Sequence, residues 1–179
     1  SFAEGLRRAL RQTPDVIMLG EIRDALSATT ALQAAETGHL VLASLHSSSA
    51  TETVERLSRI FPADERDDAS ALLAAQLVGT FTQMLVRGTQ KKLCLVAEHF
   101  ENQAATRGWI RQGGGTELVD FLNRGSHPEN RSMTVNLVAA VKEGRIAEAD
   151  ALSAAPNADE FRRLMRGITS GFQPKGTSR

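Results

Sequence analysis

The stretch Val16-Ile17-Met18-Leu19-Gly20-Glu21-Ile22-Arg23-Asp24, followed by Thr37-Gly38-His39-Leu40-Val41-Leu42-Ala43-Ser44-Leu45-His46, decides the fold. Residues 16–19 are a continuous apolar run with β-branched members. The run is too short for a helix and reads as a buried parallel strand. Residues 40–45 read as a second. The first run ends in carboxylates and the second in a Ser/His cluster. Neighbouring buried strands that deliver such groups to one sheet edge form the γ-phosphate side of a nucleotide-hydrolysing α/β site.

Helices alternate with these strands. Ser1-x-x-Glu4 has the form of a capping box, and Phe2, Leu6, Ala9 and Leu10 share one helical face up to Pro14. Asp24 is placed to cap a helix over 25–36, with Gly38 at its C-terminal stop. Ser49-Ala50-Thr51-Glu52 opens another helix, which ends at Phe61-Pro62 and carries Val54, Leu57 and Ile60 at helical spacing. A further helix is expected over 65–77. This order predicts an α/β layered core. Runs 81–86 and 93–100, joined by the polar segment 87–92, predict an antiparallel hairpin on the sheet. After Glu101 the pattern becomes helical: 103–111, 118–123, 133–142, 147–153 and 158–165, punctuated by Gly113-Gly114-Gly115, Gly125 and Gly144. The expected organisation is an α/β core over 1–101, a small helical appendage over 102–168 and a disordered tail over 169–179.

Bulk composition narrows the function. Among 179 residues Lys+Arg and Asp+Glu are both 21, which argues against a strong nucleic-acid or anionic-membrane footprint. Aromatics are 4% with no Tyr, too few for base-stacking platforms. The single cysteine, Cys94, forbids an internal disulfide and reads as a buried small hydrophobe. No apolar run approaches the roughly 18 residues of a membrane span, and Ser1-Phe2-Ala3-Glu4 does not open a signal peptide. The absence of an initiator Met suggests a piece of a longer protein.

Glu21, just past the first strand, is placed to hold Mg²⁺ through its retained waters or to polarise an attacking water. Arg23 is either a partner for the neighbouring carboxylates or a phosphate contact. The bland alternative is an ordinary strand-to-helix turn with Asp24 as its cap. His46 lies at the C-terminal end of its strand, where ligands bind in such sheets, and is a γ-phosphate contact or a hydrogen-bonded turn histidine. His39 precedes that strand, at the opposite end. His99 and His127 have no chemical neighbours at useful spacing and read as structural. Gly113-Gly114-Gly115 follows a helix and reads as its terminator, and Lys91-Lys92 as a solvated hairpin tip. The lysines are Lys91, Lys92, Lys142 and Lys175, and none follows a glycine. The Gly-Lys-Ser/Thr of a P-loop is therefore missing from this sequence.

These motifs resemble the PilT-like motor ATPases of type II secretion, type IV pili and type IV secretion. Residues 16–24 match the family's Walker B pattern, apolar residues then Gly-Glu-x-Arg-Asp. Residues 37–48 match its His box, Thr-Gly-His-x-Val-x-x-Thr-Leu-His-Thr-Asn, with Ser44, Ser47 and Ser48 in place of Thr, Thr and Asn. Gln83-Met84-Leu85-Val86, residues 105–111 and residues 133–151 also resemble family segments.

The resemblance implies part of a RecA-like core of P-loop NTPase type and a homo-hexameric ring. The family couples ATP hydrolysis, with Mg²⁺, to pilus assembly or retraction or to substrate export. Glu21 would be the Walker B glutamate at the Mg²⁺ site. His46 would face the nucleotide, with His39 its companion, Arg23 and Asp24 shaping the loop and Ser44 keeping a hydroxyl beside it. Partners would be inner-membrane platform proteins, with the ring in the cytoplasm at that membrane. This piece alone is expected to turn over no ATP. The alternative is a non-catalytic, truncated ring subunit or interaction module that docks on the same machinery.

Overall fold

The computed structural model describes Gly5, Gln12 and residues 14–125 and 127–168. The expected opening helix and the tail over 169–179 lie outside the described residues. Elements run in the order β1 (Val16–Leu19), α1 (Ala25–Glu36), β2 (Leu40–Ala43), α2 (Ala50–Arg59) and α3 (Arg66–Gln76). There follow β3 (Gly79–Arg87), β4 (Leu93–Glu101), α4 (Arg107–Arg111), α5 (Gly115–Asn123), α6 (Met133–Lys142), α7 (Glu148–Ala154) and α8 (Ala158–Met165). The chain divides into two compact units: residues up to Gly79 together with Asn102–Gly115, and Thr80–Glu101 together with residues from Thr116 onward.

In the first unit β1 and β2 pair in parallel, Val16 opposite Leu40 through Leu19 opposite Ala43. α1, the crossover between them, packs on β2 and α3, and α3 also packs on α2 and α4. Small residues make these approaches close: Ala28, Ala31 and Ala34 of α1 and Ala69 and Ala74 of α3 are buried. Asp24 caps α1, accepting from Ser27 N at 2.7 Å while the Ser27 hydroxyl engages the Asp24 backbone. Ser49 caps α2, accepting from Glu52 N at 3.1 Å. One expectation is corrected here. Ile17 and Leu19 are buried, but Met18 on the other face is 82% exposed and its cross-strand partner Leu42 50%. The strands are parallel as expected but covered on one face only among the described residues.

The segment after β4 also departs from expectation. Asn102 donates from Nδ2 to Ala74 O (3.0 Å) and Leu77 O (2.7 Å), closing the C-terminus of α3. Thr106, fully buried, donates to Asn102 Oδ1 at 2.8 Å. These bonds place residues 102–115 with the first unit, although the sequence pattern assigns them to the helical appendage. α4 then ends where Gly113 and Gly114 take φ of +89° and +90°, with Gly113 N on Ile110 O and Gly114 N on Trp109 O. That is the expected terminator.

In the second unit β3 and β4 form a two-stranded sheet of their own rather than extending β1–β2. Their connection is too short for anything but an antiparallel pair. Val86 and Val96 pack with Met133 and Leu137 of α6, Ala151 of α7 and Phe161 of α8 in one closed cluster. The buried carboxylate of Glu98 accepts from Met133 N at 2.9 Å at the start of α6, where backbone amides favour negative charge.

Candidate functional site

Glu21 and His46 are brought together. The parallel ladder sets the C-terminal ends of β1 and β2 side by side, and two further bonds tie the chain past it: Ile22 N to Ser44 O at 3.0 Å, and the Ser44 hydroxyl to Gly20 O. Glu21 Oε1 then lies 3.3 Å from His46 Nε2, and Arg23 Nε donates to Glu21 Oε2 at 2.6 Å. The Glu21 side chain is 18% exposed and that of His46 82%. One carboxylate is thus held between two cationic or cation-capable groups at the open edge of a parallel sheet, where α/β folds bind ligands. Arg23 makes the internal pairing, one of the two roles its sequence context left open.

The other predicted residues are placed differently. The Asp24 carboxylate is committed to Ser27, and the hydrogen bonds from its backbone amide and hydroxyl hold the acid below its ordinary value of 3.8. The Ser44 hydroxyl is spent on Gly20 O. His39 stands before Leu40, at the end of β2 opposite the one that leads to His46. Its Nδ1 lies 3.1 Å from both Ala34 O and Thr37 Oγ1, which turns the ring back onto the end of α1. His39 is therefore not brought to Glu21. Of the remaining histidines, His99 packs its ring 4.5 Å from Phe81 and bridges Arg131 through its main chain, and His127 bridges Asn130. Cys94 is half-buried and its sulfur receives Arg145 Nη1 at 3.3 Å.

Two residues of α2 act on the loop after β2: Glu52, read from the sequence only as the close of a capping box, and Arg56, to which the sequence reading gave no role. Arg56 Nη1 donates to His46 O at 2.6 Å, and Glu52 Oε2 accepts from Ser48 N at 2.6 Å and from the Ser48 hydroxyl at 2.5 Å. These bonds hold the Glu52 carboxyl below its ordinary value of 4.5, with desolvation opposing them weakly and Arg56 adding to them. The capping-box pattern marks Glu52 as reaching back past the helix start. For Arg56 the signal is its spacing, one helical turn on from Glu52.

The fold defines the class: a mixed α/β core of P-loop NTPase type. A family model described as "Type II/IV secretion system protein" matches residues 1–162, and the chain belongs to that family. The uncharacterized protein YggR of Escherichia coli K12 is 40% identical over 146 residues, covering 82% of this chain and 45% of that protein. The type IV pilus retraction ATPase PilT of Pseudomonas aeruginosa is 32% identical over 160 residues, 89% of this chain and 46% of its own. A crystal structure of the pilus retraction motor PilT with bound ADP superposes with a TM-score of 0.80 at 35% identity, covering 91% of this chain and 46% of that one. The chain spans less than half the length of these relatives.

Proposed function

We propose that this chain supplies the Walker B and His-box side of the nucleotide site in a motor ATPase that drives pilus assembly or retraction or substrate export. The observation that carries this is the Glu21–His46 contact at adjacent C-terminal ends of parallel strands, in a chain of this family. The relatives and the superposed motor include ATPases and an ADP-bound structure, which supports ATP as the substrate. The phosphates need a cradle of backbone amides and a lysine. No lysine of this chain follows a glycine, so that half of the site comes from another segment. The active form is a homo-hexameric ring on the cytoplasmic face of the inner membrane, engaged by platform proteins there. No helix among the described residues is long and apolar enough to cross a membrane.

The donor set suits Mg²⁺ in one way only. No group of three or more His, Cys, Asp or Glu among the described residues could cage a metal ion. A single carboxylate that reaches the ion through water, with phosphates completing the shell, is the usual Mg²⁺ arrangement, and Glu21 fits it. When bound, Mg²⁺ neutralises charge on the β- and γ-phosphates. Glu21 orients water at the open edge, Arg23 fixes its second oxygen, and His46 presents an exposed ring toward the γ-phosphate position.

ATP turnover tests this. The isolated chain with Mg²⁺ is expected to show none. A form joined to a relative's segment carrying Gly-Lys-Ser/Thr is expected to hydrolyse ATP, and Glu21→Gln in that form to lower kcat by about 10²–10⁴-fold. Robust turnover by the pure isolated chain, or an unaffected Glu21→Gln, overturns the proposal.

A further inference from the structure

His46 is 82% exposed at its side chain, so packing does not aim the ring. Its main chain is held instead, and the holding groups all come from α2. Arg56 donates to the His46 carbonyl at 2.6 Å. Ser47 Oγ lies 2.7 Å from Thr53 Oγ1, and Thr53 spends its own proton on Ser49 O at 2.8 Å, so Ser47 is the donor between them. Glu52 takes both the amide and the hydroxyl of Ser48. Three consecutive loop residues are thereby each tied to a different side chain on the first two turns of one helix.

We propose that Glu52 and Arg56 are positioning residues that clamp the His46 loop to α2 and so set where the imidazole stands against Glu21. This rests on the functional reading above for what His46 does, but the clamp itself is independent of nucleotide. Glu52 and Arg56 sit at i and i+4 with opposite charges, and a plain surface ion pair would point them at each other. Here the carboxylate is spent on an amide and a hydroxyl of the loop and the guanidinium on a carbonyl, groups that charged partners bind about twice as strongly as neutral ones do. The consequence is mechanical. Glu21 is fixed by β1 and Arg23, His46 by α2, so a tilt of α2 opens or closes the Glu21–His46 distance without disturbing the strand ladder.

The test is NMR of the chain without nucleotide, following backbone order parameters at residues 46–48 and the ring signals of His46. Arg56→Ala and Glu52→Ala are expected to drop the order parameters there from about 0.85 to below about 0.6 and to shift the His46 ring signals. Arg56→Lys and Glu52→Gln, which keep a donor and an acceptor, are expected to restore both in part. Arg59→Ala, removing an exposed arginine paired to Glu55, is expected to change neither. Unchanged loop order and ring signals in the alanine variants overturn the proposal. So does a loss of order spread through the whole chain with no rescue by the conservative variants, which marks a merely structural role. ATP turnover that ignores Glu21→Gln would instead defeat the functional reading and leave this clamp standing.

Discussion

In the unit formed by β3, β4 and the later helices, Phe161 of α8 is fully buried among Val86, Val96 and Leu137. In the unit that carries Glu21 and His46, Met18 in the middle of β1 is 82% exposed, and Val16, Leu40 and Leu42 stand half out of the fold beside it. Both units are built from the same apolar residue types. The helical unit closes one face of β3–β4 with its own helices and leaves Phe81, Leu85, Leu93 and Leu95 exposed. Among the described residues the strand pair has α1 on one face and exposed apolar side chains on the other, although parallel sheets are ordinarily covered on both. Each unit thus leaves apolar strand residues uncovered among the described residues, and the most exposed of them, Met18, stands beside the Glu21–His46 edge. The difference teaches that the closed cluster around Phe161 lies in the unit that does not carry Glu21 and His46.

Truncating one large apolar side chain in each unit breaks or sharpens the contrast. Phe161→Ala is expected to cost about 3–5 kcal/mol, read as a fall in the denaturant midpoint, because it leaves a cavity in a closed core. Gly88→Ala in the hairpin comes next, at about 1–3 kcal/mol: an added Cβ meets Lys92 O at 2.8 Å and Arg145 O at 3.2 Å, both backbone atoms that cannot swing away. In the site-bearing unit Ser49→Ala removes the cap of α2 and is expected to cost about 1 kcal/mol, with loosening of residues 46–48 seen by hydrogen exchange. Met18→Thr is expected to change stability by less than about 0.5 kcal/mol while raising solubility, since it disrupts a bare face rather than a core. A cost for Met18→Thr comparable to that of Phe161→Ala would erase the contrast.

The smallest effect is expected in acid. Glu52 and Asp24 both titrate below their ordinary values of 4.5 and 3.8 in the fold. Their contribution is complete above those values and is lost as pH falls through the lowered ones. The His46 loop and the start of α1 should therefore loosen on the acid side of pH 4.5 while the β3–β4 unit keeps its signals. Simultaneous loss in both units would show that these carboxylates are not the local cause.

The readable part of the molecule is what periodicity encodes. Short β-branched runs between capped amphipathic segments specify β1, β2 and their parallel pairing, and the pairing sets the strand ends that precede Glu21 and His46 side by side. Three features escape it. A run that is apolar throughout states that both faces of a strand are to be buried but not by what, so the bare face at Met18 and Leu42 is invisible in it. Asn102 joins residues 102–115 to α3 through side-chain bonds to distant carbonyls, which leave no repeat in the sequence. The hold of Arg56 on His46 O and of Glu52 on Ser48 N falls on main-chain atoms, present at every position and therefore without a signature.

The hydroxyl of Ser44 on Gly20 O and the amide of Ile22 on Ser44 O have one more consequence. A slip of one residue between β1 and β2 would send every side chain of the displaced strand to the opposite face and set Leu45 where His46 belongs. The serine bridge would be lost in the same stroke. The Glu21–His46 contact is thus a check on alignment, an arrangement that only one registration of the two strands can produce, so a misfolded pairing advertises itself by an empty site.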